Sequence, residues 1–412
     1  MQFSSYDEEL SDVQSNEITD GLALRHLDRS GPLGEVIRPL VASKDYLALS
    51  RWNVDYTLDA TADQFYNLRC ALGCYQKHTG LRLGVNRKAA AFSTFQESEQ
   101  RCKLSNTIFK EHEAGRFQFR PAVESILHAT QRKISRVLGD VPPLGELKLE
   151  FGPGATTTVP KKYACASMKL GAVPSCSANM LPAVPELLRE SPHMRSQSSD
   201  WWIDDDGWLV EGVSVEIHPG KLQFAPKNAK TDRCIIVQPT LNGMAQRAYG
   251  LFIEAQLNRI GQSVHDQTRN QRLAREGSLT GGLATIDLKS ASDSISIELM
   301  RHLLPWDWFS TLSEIRVTEL QYKKQLIKLE QFCSMGNGYT FPLQTLLYWA
   351  LASSCIEACD LGDGTLDKRV SVYGDDIIMS PAGVPLLAEV LTACGFVLNK
   401  DKSYWDGNFR ES

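Results

Sequence analysis

The sequence predicts an α+β protein, mainly helical in its first half and alternating short strands with helices in its second. Two observations carry this. Helical segments read over Thr61 to Tyr75, Val123 to Val137 and Val184 to Glu190, separated by breakers such as Val141-Pro-Pro-Leu-Gly145. Further on, short apolar runs are bounded by turn residues. Leu283-Ala-Thr-Ile-Asp287 reads as a buried strand ending in a carboxylate, and Val370 to Tyr373, Gly374-Asp375 and Asp376 to Met379 read as strand, tight turn, strand.

The elements between follow from local chemistry. Ser334-Met-Gly-Asn-Gly338 reads as a flexible glycine-rich loop; Thr340 is placed to cap the next helix, with Pro342 in its first turn and mostly apolar residues running to Ala358. Pro381 to Cys394 makes another helix, stopped by Gly395, and Phe396 to Asn399 returns as a strand.

A chain of 412 residues is long enough for two or three domains. With 42% hydrophobic and 23% charged residues it has the balance of a soluble globular protein, and no apolar run approaches the roughly 18 residues that span a bilayer. Met1 to Asp20 holds six acidic residues and no basic one, the opposite of a targeting signal, so a cytoplasmic protein is expected. A net charge of -5 argues against a nucleic-acid binder on the total alone, because phosphate contacts need clustered Lys and Arg. Distribution matters more. Arg101 to Lys169 carries twelve basic residues against six acidic ones, while acid collects in residues 1 to 20 and in Asp200-Trp-Trp-Ile-Asp-Asp-Asp206. That pattern allows a basic face, although ordinary solvated helix faces are the plainer reading.

Ten scattered cysteines without a paired framework imply reduced thiols. Cys70, Cys74 and His78 share one helical face, yet a structural zinc site needs a fourth ligand, so a buried face is expected there, as it is for Cys355 and Cys359. Phe151-Gly-Pro-Gly-Ala-Thr-Thr-Thr158 has the glycines of a phosphate loop but not its Lys-Ser/Thr ending, which makes it a plain turn.

The chemistry concentrates on the aspartates. Joining a hydroxyl to a triphosphate benefits from two divalent ions about 3.5 to 4 Å apart. Hard cations need only a few carboxylates on neighbouring strands, and Asp287 and Asp375 fit; Asp376 faces the other way in a regular strand but can reach an ion from a tight turn. Apolar strands on both sides of Tyr373 to Asp376 argue against a merely solvated turn. Lys227, Lys230 and Arg233 in Phe224-Ala-Pro-Lys-Asn-Ala-Lys-Thr-Asp-Arg233 supply cations suited to a triphosphate; taken alone they would more often be a surface turn.

In order, these motifs resemble viral RNA-dependent RNA polymerases, most closely the replicase beta subunits of leviviruses. Pro226 to Cys234 looks like the basic finger motif, Ile286-Asp-Leu-Lys-Ser-Ala-Ser-Asp-Ser294 like motif A, Ser334 to Phe341 like motif B, Tyr373 to Asp376 like motif C and Gly395 to Ser403 like motif D. Phe409-Arg-Glu-Ser412 looks like the opening of a further segment. The strong resemblance covers about residues 221 to 412.

The resemblance implies a right-hand polymerase: an N-terminal region and part of the fingers over 1-100, fingers with the basic motif over 101-245, and a palm with an antiparallel sheet over 246-412, the thumb being absent. It implies an RNA-directed RNA polymerase using two Mg2+ ions, with Mn2+ able to substitute. Asp287, Asp375 and Asp376 are carried over as metal ligands, and Lys227, Lys230 and Arg233 as triphosphate contacts. Asp293 becomes the reader of the ribose 2'-hydroxyl; Ser334, Gly336 and Thr340 shape the loop beside the templating base. Lys402, ahead of Lys400, becomes the acid that protonates pyrophosphate. Five residues stand between Asp287 and Asp293, as in the phage replicases, whereas many RNA polymerases have four, and Gln344 stands where many have Asn. The implied partners are RNA, ribonucleoside triphosphates, host elongation factors Tu and Ts and a ribosomal RNA-binding protein, in the cytoplasm of a bacterial host. Two alternatives remain at this point: a reverse transcriptase and a non-catalytic RNA-binding replicase subunit.

Overall fold

In a computed structural model of the chain, which describes residues 12–411 apart from 57, 82, 207, 361, 363 and 408, contacts divide the protein into two units. The start of the acidic N-terminal stretch and Ser412 fall outside the described residues. One unit comprises Met1–Thr94 with Phe224–Cys234; the other comprises Phe95–Gln223 with Ile235–Ser412.

The first unit is built on α1 (Asp12–Arg29) packed against α2 (Ala62–Gln76), around Leu27, Leu68, Leu72 and Tyr75. Thr61 and Gln64 start α2 with a capping box, each side chain bonding the other's backbone N–H, at 3.2 and 2.8 Å. Asp20 is drawn inward, accepting hydrogen bonds from Tyr46 and Tyr75 at 2.8 and 2.9 Å. The face bearing Cys70 and Cys74 is half-buried and holds no metal cluster: Cys74 donates to the Cys70 carbonyl, and His78, beyond the helix end, engages Ser15 and the Gly80 amide. Cys355 is buried as expected, while Cys359 sits half-exposed at a helix end.

A long helix, α3 (Arg87–Glu113), carries the chain into the second unit, which contains α4 (Pro121–Leu138), the start of β1 (Gly220–Pro226), the end of β2 (Asp232–Val237), α5 (Thr240–Arg259) and α6 (Thr268–Thr280). Next come β3 (Ala284–Ile286), β4 (Leu288–Lys289), β5 (Glu319–Tyr322), β6 (Gln325–Lys328), α7 (Thr340–Ala358), β7 (Ser371–Tyr373), β8 (Asp376–Met379), α8 (Val384–Ala393) and β9 (Val397–Leu398). The strands form a small antiparallel sheet ordered β7-β8-β3, a second sheet ordered β6-β5-β1-β2, and the antiparallel pair β9-β4. Mixed helix and sheet make the fold α+β.

A helix apolar on every side has to be surrounded. That is the situation of α7, whose Leu343, Leu346, Leu347, Tyr348, Leu351 and Cys355 are all buried as it packs on α4, α5, α8 and the β7-β8 hairpin. Two local expectations change here. Thr340 begins the helix instead of capping it; its hydroxyl donates to the Ser334 carbonyl at 2.9 Å. The loop before it is clamped, not flexible: Ile236 N–H donates to Met335 O at 2.9 Å, Gly338 N–H to Gln246 Oε1 at 3.2 Å, and the Ser334 hydroxyl to Asn337. Its glycines serve close approach. A Cβ on Gly338 would lie 2.6 Å from the Arg247 nitrogen, and one on Gly250 would lie 3.1 Å from the Gly338 carbonyl carbon.

Residues 151–158 form a turn tied down by threonines, with Thr157 N–H donating to Gln238 O at 3.1 Å and Thr158 bonded to Thr240 at the start of α5. Among the described residues no helix is long and apolar enough to cross a membrane.

The packing of α5 on the loop predicts that Gly250→Ala destabilises the protein by about 1 to 3 kcal/mol, the usual cost of overpacking where backbone must yield. Urea unfolding followed by circular dichroism checks it; an unchanged midpoint would show that the helix and loop part freely.

Candidate active site

The acidic hairpin is set by register. Tyr373 pairs with Asp376, leaving Gly374-Asp375 as a two-residue turn between β7 and β8. Gly374 has φ +64° and Asp375 an ordinary negative φ, the pattern of a type II' turn, which matches the twist of antiparallel strands. A Cβ at position 374 would stand 3.0 Å from Phe341 Cζ and 3.1 Å from Gln344 Nε2, so sterics as well as backbone angle reserve the site for glycine. The first turns of α7 brace this tip: Thr345 Oγ1 accepts from Gly374 N–H at 3.0 Å, and Phe341 meets the Tyr373 ring edge-on at 5.1 Å.

Sheet pairing collects three aspartates at one end. β8 pairs with β3 through Ile377 and Ile286, so the next step of the register sets Asp376 across from Asp287. Asp375 stands beside them in the turn. Asp287 is fixed by the segment that follows β9: Asn399 Nδ2 donates to its Oδ2 at 2.6 Å, Asn399 N–H to its carbonyl at 2.9 Å, and Ser403 Oγ accepts its N–H at 3.1 Å. Asp376 is approached from α6, where Asn270 Nδ2 lies 3.0 Å from its carbonyl oxygen and 3.4 Å from Oδ2, and Asn270 is itself held by Ser371 at 2.7 Å.

Burial pushes the Asp287 carboxyl above the usual carboxylate range. The Asn399 hydrogen bond and the Lys402 charge pull it back, while the neighbouring charges of Asp375 and Glu411 add to the rise. A buried carboxylate beside a second carboxylate is unfavourable without a cation, and an all-oxygen set suits a hard divalent ion. Among the described residues no three His, Cys, Asp or Glu side chains close into a ready-made cage. Mg2+ does not demand one, since it keeps several waters and is held by one or two carboxylates plus substrate phosphates. Asp287 and Asp375 fit such an ion, and Asp376 stands next to them by register.

The remaining residues singled out from the sequence fall into two groups. Lys402 is exposed, and its charge reaches Asp287; Lys400 is also exposed. Asp293 lies half-buried on the short turn Ser292–Ser294. Ser334, Thr340 and Gln344 are buried, and Gly336 adopts φ +123° with its α-carbon packed on the Ile236 backbone. The cations belong to the other unit. Lys227 and Arg233 are exposed there, whereas Lys230 turns inward and donates to the Ser50 carbonyl at 2.7 Å, its pKa lowered by burial and by Arg51.

Asn399, Ser403, Asn270 and Thr345 were not singled out from the sequence, although they hold the aspartates and the turn. Their only signal is polarity beside apolar runs, since buried polar groups have to find partners.

An antiparallel sheet that gathers carboxylates at one end, backed by an apolar helix, is an arrangement whose oxygen donors suit hard divalent cations. Comparison with known proteins supplies the family. Residues 34–412 match the family described as RNA replicase, beta-chain, and the chain belongs to that family. It is 37% identical over 358 residues to the RNA-directed RNA polymerase subunit beta of Escherichia virus Qbeta, covering 86% of this chain and 57% of that protein. Identity to the corresponding subunit of Enterobacteria phage SP is 33% over 362 residues, 86% of this chain and 59% of the relative. The RNA-directed RNA polymerase beta chain of Enterobacteria phage GA is 32% identical over 345 residues, 82% and 62% of the two chains. The chain thus spans less than two thirds of the length of each of these relatives.

Because the folded pKa of Asp287 is raised, its ionised form costs stability above that pKa, and the cost fades as pH falls through the carboxylate range. Asp287→Asn keeps an acceptor for Asn399 while removing the charge. In cation-free buffer at pH 7 this variant is expected to melt higher than the parent, and it should lose the stabilisation that Mg2+ or Mn2+ gives the parent. Thermal unfolding with and without the cation reads both effects; a variant that melts lower without cation would sink the account.

Proposed function

We propose that the chain carries the catalytic centre of an RNA-directed RNA polymerase that replicates a phage RNA genome. It joins the 3'-hydroxyl of a growing RNA to the α-phosphate of a ribonucleoside triphosphate selected on an RNA template. The observation that carries this reading is the placement of Asp287, Asp375 and Asp376 at one end of an antiparallel sheet, in a chain of the RNA replicase beta-chain family. The match to subunits named RNA-directed RNA polymerase supports it over most of this chain's length.

The three aspartates are assigned to two Mg2+ ions, for which Mn2+ can substitute. When bound, such ions activate the attacking hydroxyl and neutralise charge on the departing pyrophosphate. The chain's own groups do the rest. Asn399 and Ser403 keep Asp287 oriented; Asn270 does the same for Asp376. Lys227 and Arg233 offer exposed positive charge for the triphosphate, and Lys230 steadies the segment between them. Asp293 is assigned to the ribose 2'-hydroxyl. Ser334, Gly336 and Thr340 shape the surface beside the templating base, and Lys402, ahead of Lys400, gives a proton to leaving pyrophosphate.

In this reading residues 1-100 are an N-terminal region with part of the fingers, 101-245 the remaining fingers and 246-412 the palm. Family membership also supports work in the cytoplasm of an infected bacterium, with host elongation factors Tu and Ts and a ribosomal RNA-binding protein as partners. Recovery of these proteins with the tagged chain from host lysate tests that part, and their absence would remove it.

Extension of an RNA primer on an RNA template with Mg2+ and labelled ribonucleotides tests the activity. Asp375→Ala is expected to lower the rate by about a thousandfold or more, since the ions contribute several kcal/mol to the transition state. Equal rates for parent and variant, or a preference for deoxynucleotides, would overturn the proposal.

A further inference from the structure

The assigned sugar reader, Asp293, is not held by the sheet that carries the other aspartates. It lies on a short turn between β4 and the helix Ile297–Leu303, and one polar face of α3 grips that connection. The part of α3 that follows Phe95 belongs to the same unit as Asp293. Glu99, Cys102, Ser105 and Asn106 fall on one face by helical spacing, and all four point at the connection or at the segment that pairs with it.

The contacts are specific. Cys102 donates its thiol to the Asp293 carbonyl at 3.5 Å. Ser105 Oγ lies 3.0 Å from Ser296 Oγ. Asn106 works in both directions: its Oδ1 accepts from Glu298 N–H at 2.9 Å, while its Nδ2 donates to the carbonyl and to the carboxylate of Glu330, each at 2.9 Å. Residues 330–332 in turn pair with the connection, through Phe332 N–H to Ile295 O at 2.7 Å and Ile297 N–H to Glu330 O at 3.3 Å. Glu99 takes the two backbone N–H groups of this segment, those of Glu330 and Gln331, at 2.7 and 3.3 Å. With its amide turned to donate, Gln331 reaches the Asp293 carbonyl and the Cys333 carbonyl, both at 3.2 Å.

The Asp293 peptide is therefore held from two sides. Burial raises the Glu99 carboxyl to about 7, with the charges of Glu330 and Asp293 contributing, so the clamp and the sugar reader also sense each other electrostatically.

We infer that the polar face of α3, chiefly Glu99 and Asn106, positions Asp293 and so tunes discrimination between ribose and deoxyribose from outside the palm. None of these α3 residues needs to touch nucleotide; they act through the peptide that bears Asp293. The inference rests on the assignment of Asp293 to the 2'-hydroxyl.

The test is the ratio of ribo- to 2'-deoxyribonucleoside triphosphate, read twice on the full chain with Mg2+: as equilibrium binding and as incorporation opposite the same template base. Glu99→Ala and Asn106→Ala are each expected to lower the ratio about tenfold, the usual scale for leaving a buried partner unsatisfied. Glu99→Gln keeps an oxygen for one of the two N–H groups and turns an amide NH2 toward the other, so it should restore the ratio only in part, to a value between those of the parent and Glu99→Ala. Should the alanine variants fail to fold, Cys102→Ala removes a single donor and is expected to lower the ratio about threefold. In an Asp293→Ala background the same changes should have no further effect on the ratio, because a positioning residue has nothing left to position.

A ratio that stays parental while both nucleotides are handled equally less well overturns the inference, as does a further fall in the Asp293→Ala background. A parent chain that binds the two sugars equally also overturns it. A parent that discriminates in binding but makes no RNA would instead defeat the polymerase proposal and leave the binding ratio to judge α3.

Discussion

The site depends on keeping a half-buried carboxylate, Asp287, beside a second one, Asp375, at the end of a sheet. Burial and like charge both disfavour ionisation, and the fold answers with Asn399 on the Asp287 oxygen and Lys402 nearby. That compensation leaves the carboxyl pKa still raised. An ionised carboxylate in such a place lowers the stability of the fold, a cost that proteins commonly carry where function sets the side chains.

Much of the surrounding architecture keeps that arrangement rigid. The hairpin cannot drift, because Thr345 holds the Gly374 amide and Phe341 abuts Tyr373. Those residues are fixed because α7 is buried among α4, α5 and α8, and α7 is anchored at its start by a loop whose glycines let backbones meet. Core packing, loop chemistry and carboxylate geometry thus form one chain of contacts. A change at Gly250 or Gly338 would be transmitted to the acidic turn through the start of α7.

The second theme is division of labour. Sheet register arranges Asp287, Asp375 and Asp376, whereas the segment holding Asp293 leans on a helix and on the segment 330–332 from elsewhere in the sequence. The surroundings of Asp287 and of Asp293 can consequently be altered by different sets of mutations, even though only five residues separate the two. The cations divide in a similar way: Lys227 and Arg233 stay exposed while Lys230 supports the segment from beneath.

The sequence by itself determined the α+β class, the β7-turn-β8 hairpin, the short strand that leads into Asp287 and the apolar helix after the glycine-rich loop. Each is written in a few neighbouring residues, as period, turn chemistry or glycine, so local physics suffices. Only the tertiary structure decided that Asn399 and Ser403 hold Asp287, that Lys230 bonds the Ser50 carbonyl, that Thr340 ties back to Ser334 and that the 334–338 loop is clamped. It also joined residues 224–234 to the first 94. These are contacts between side chains and backbone groups far apart in the chain, and a lone Asn or Lys looks the same in sequence whether it faces water or a buried partner.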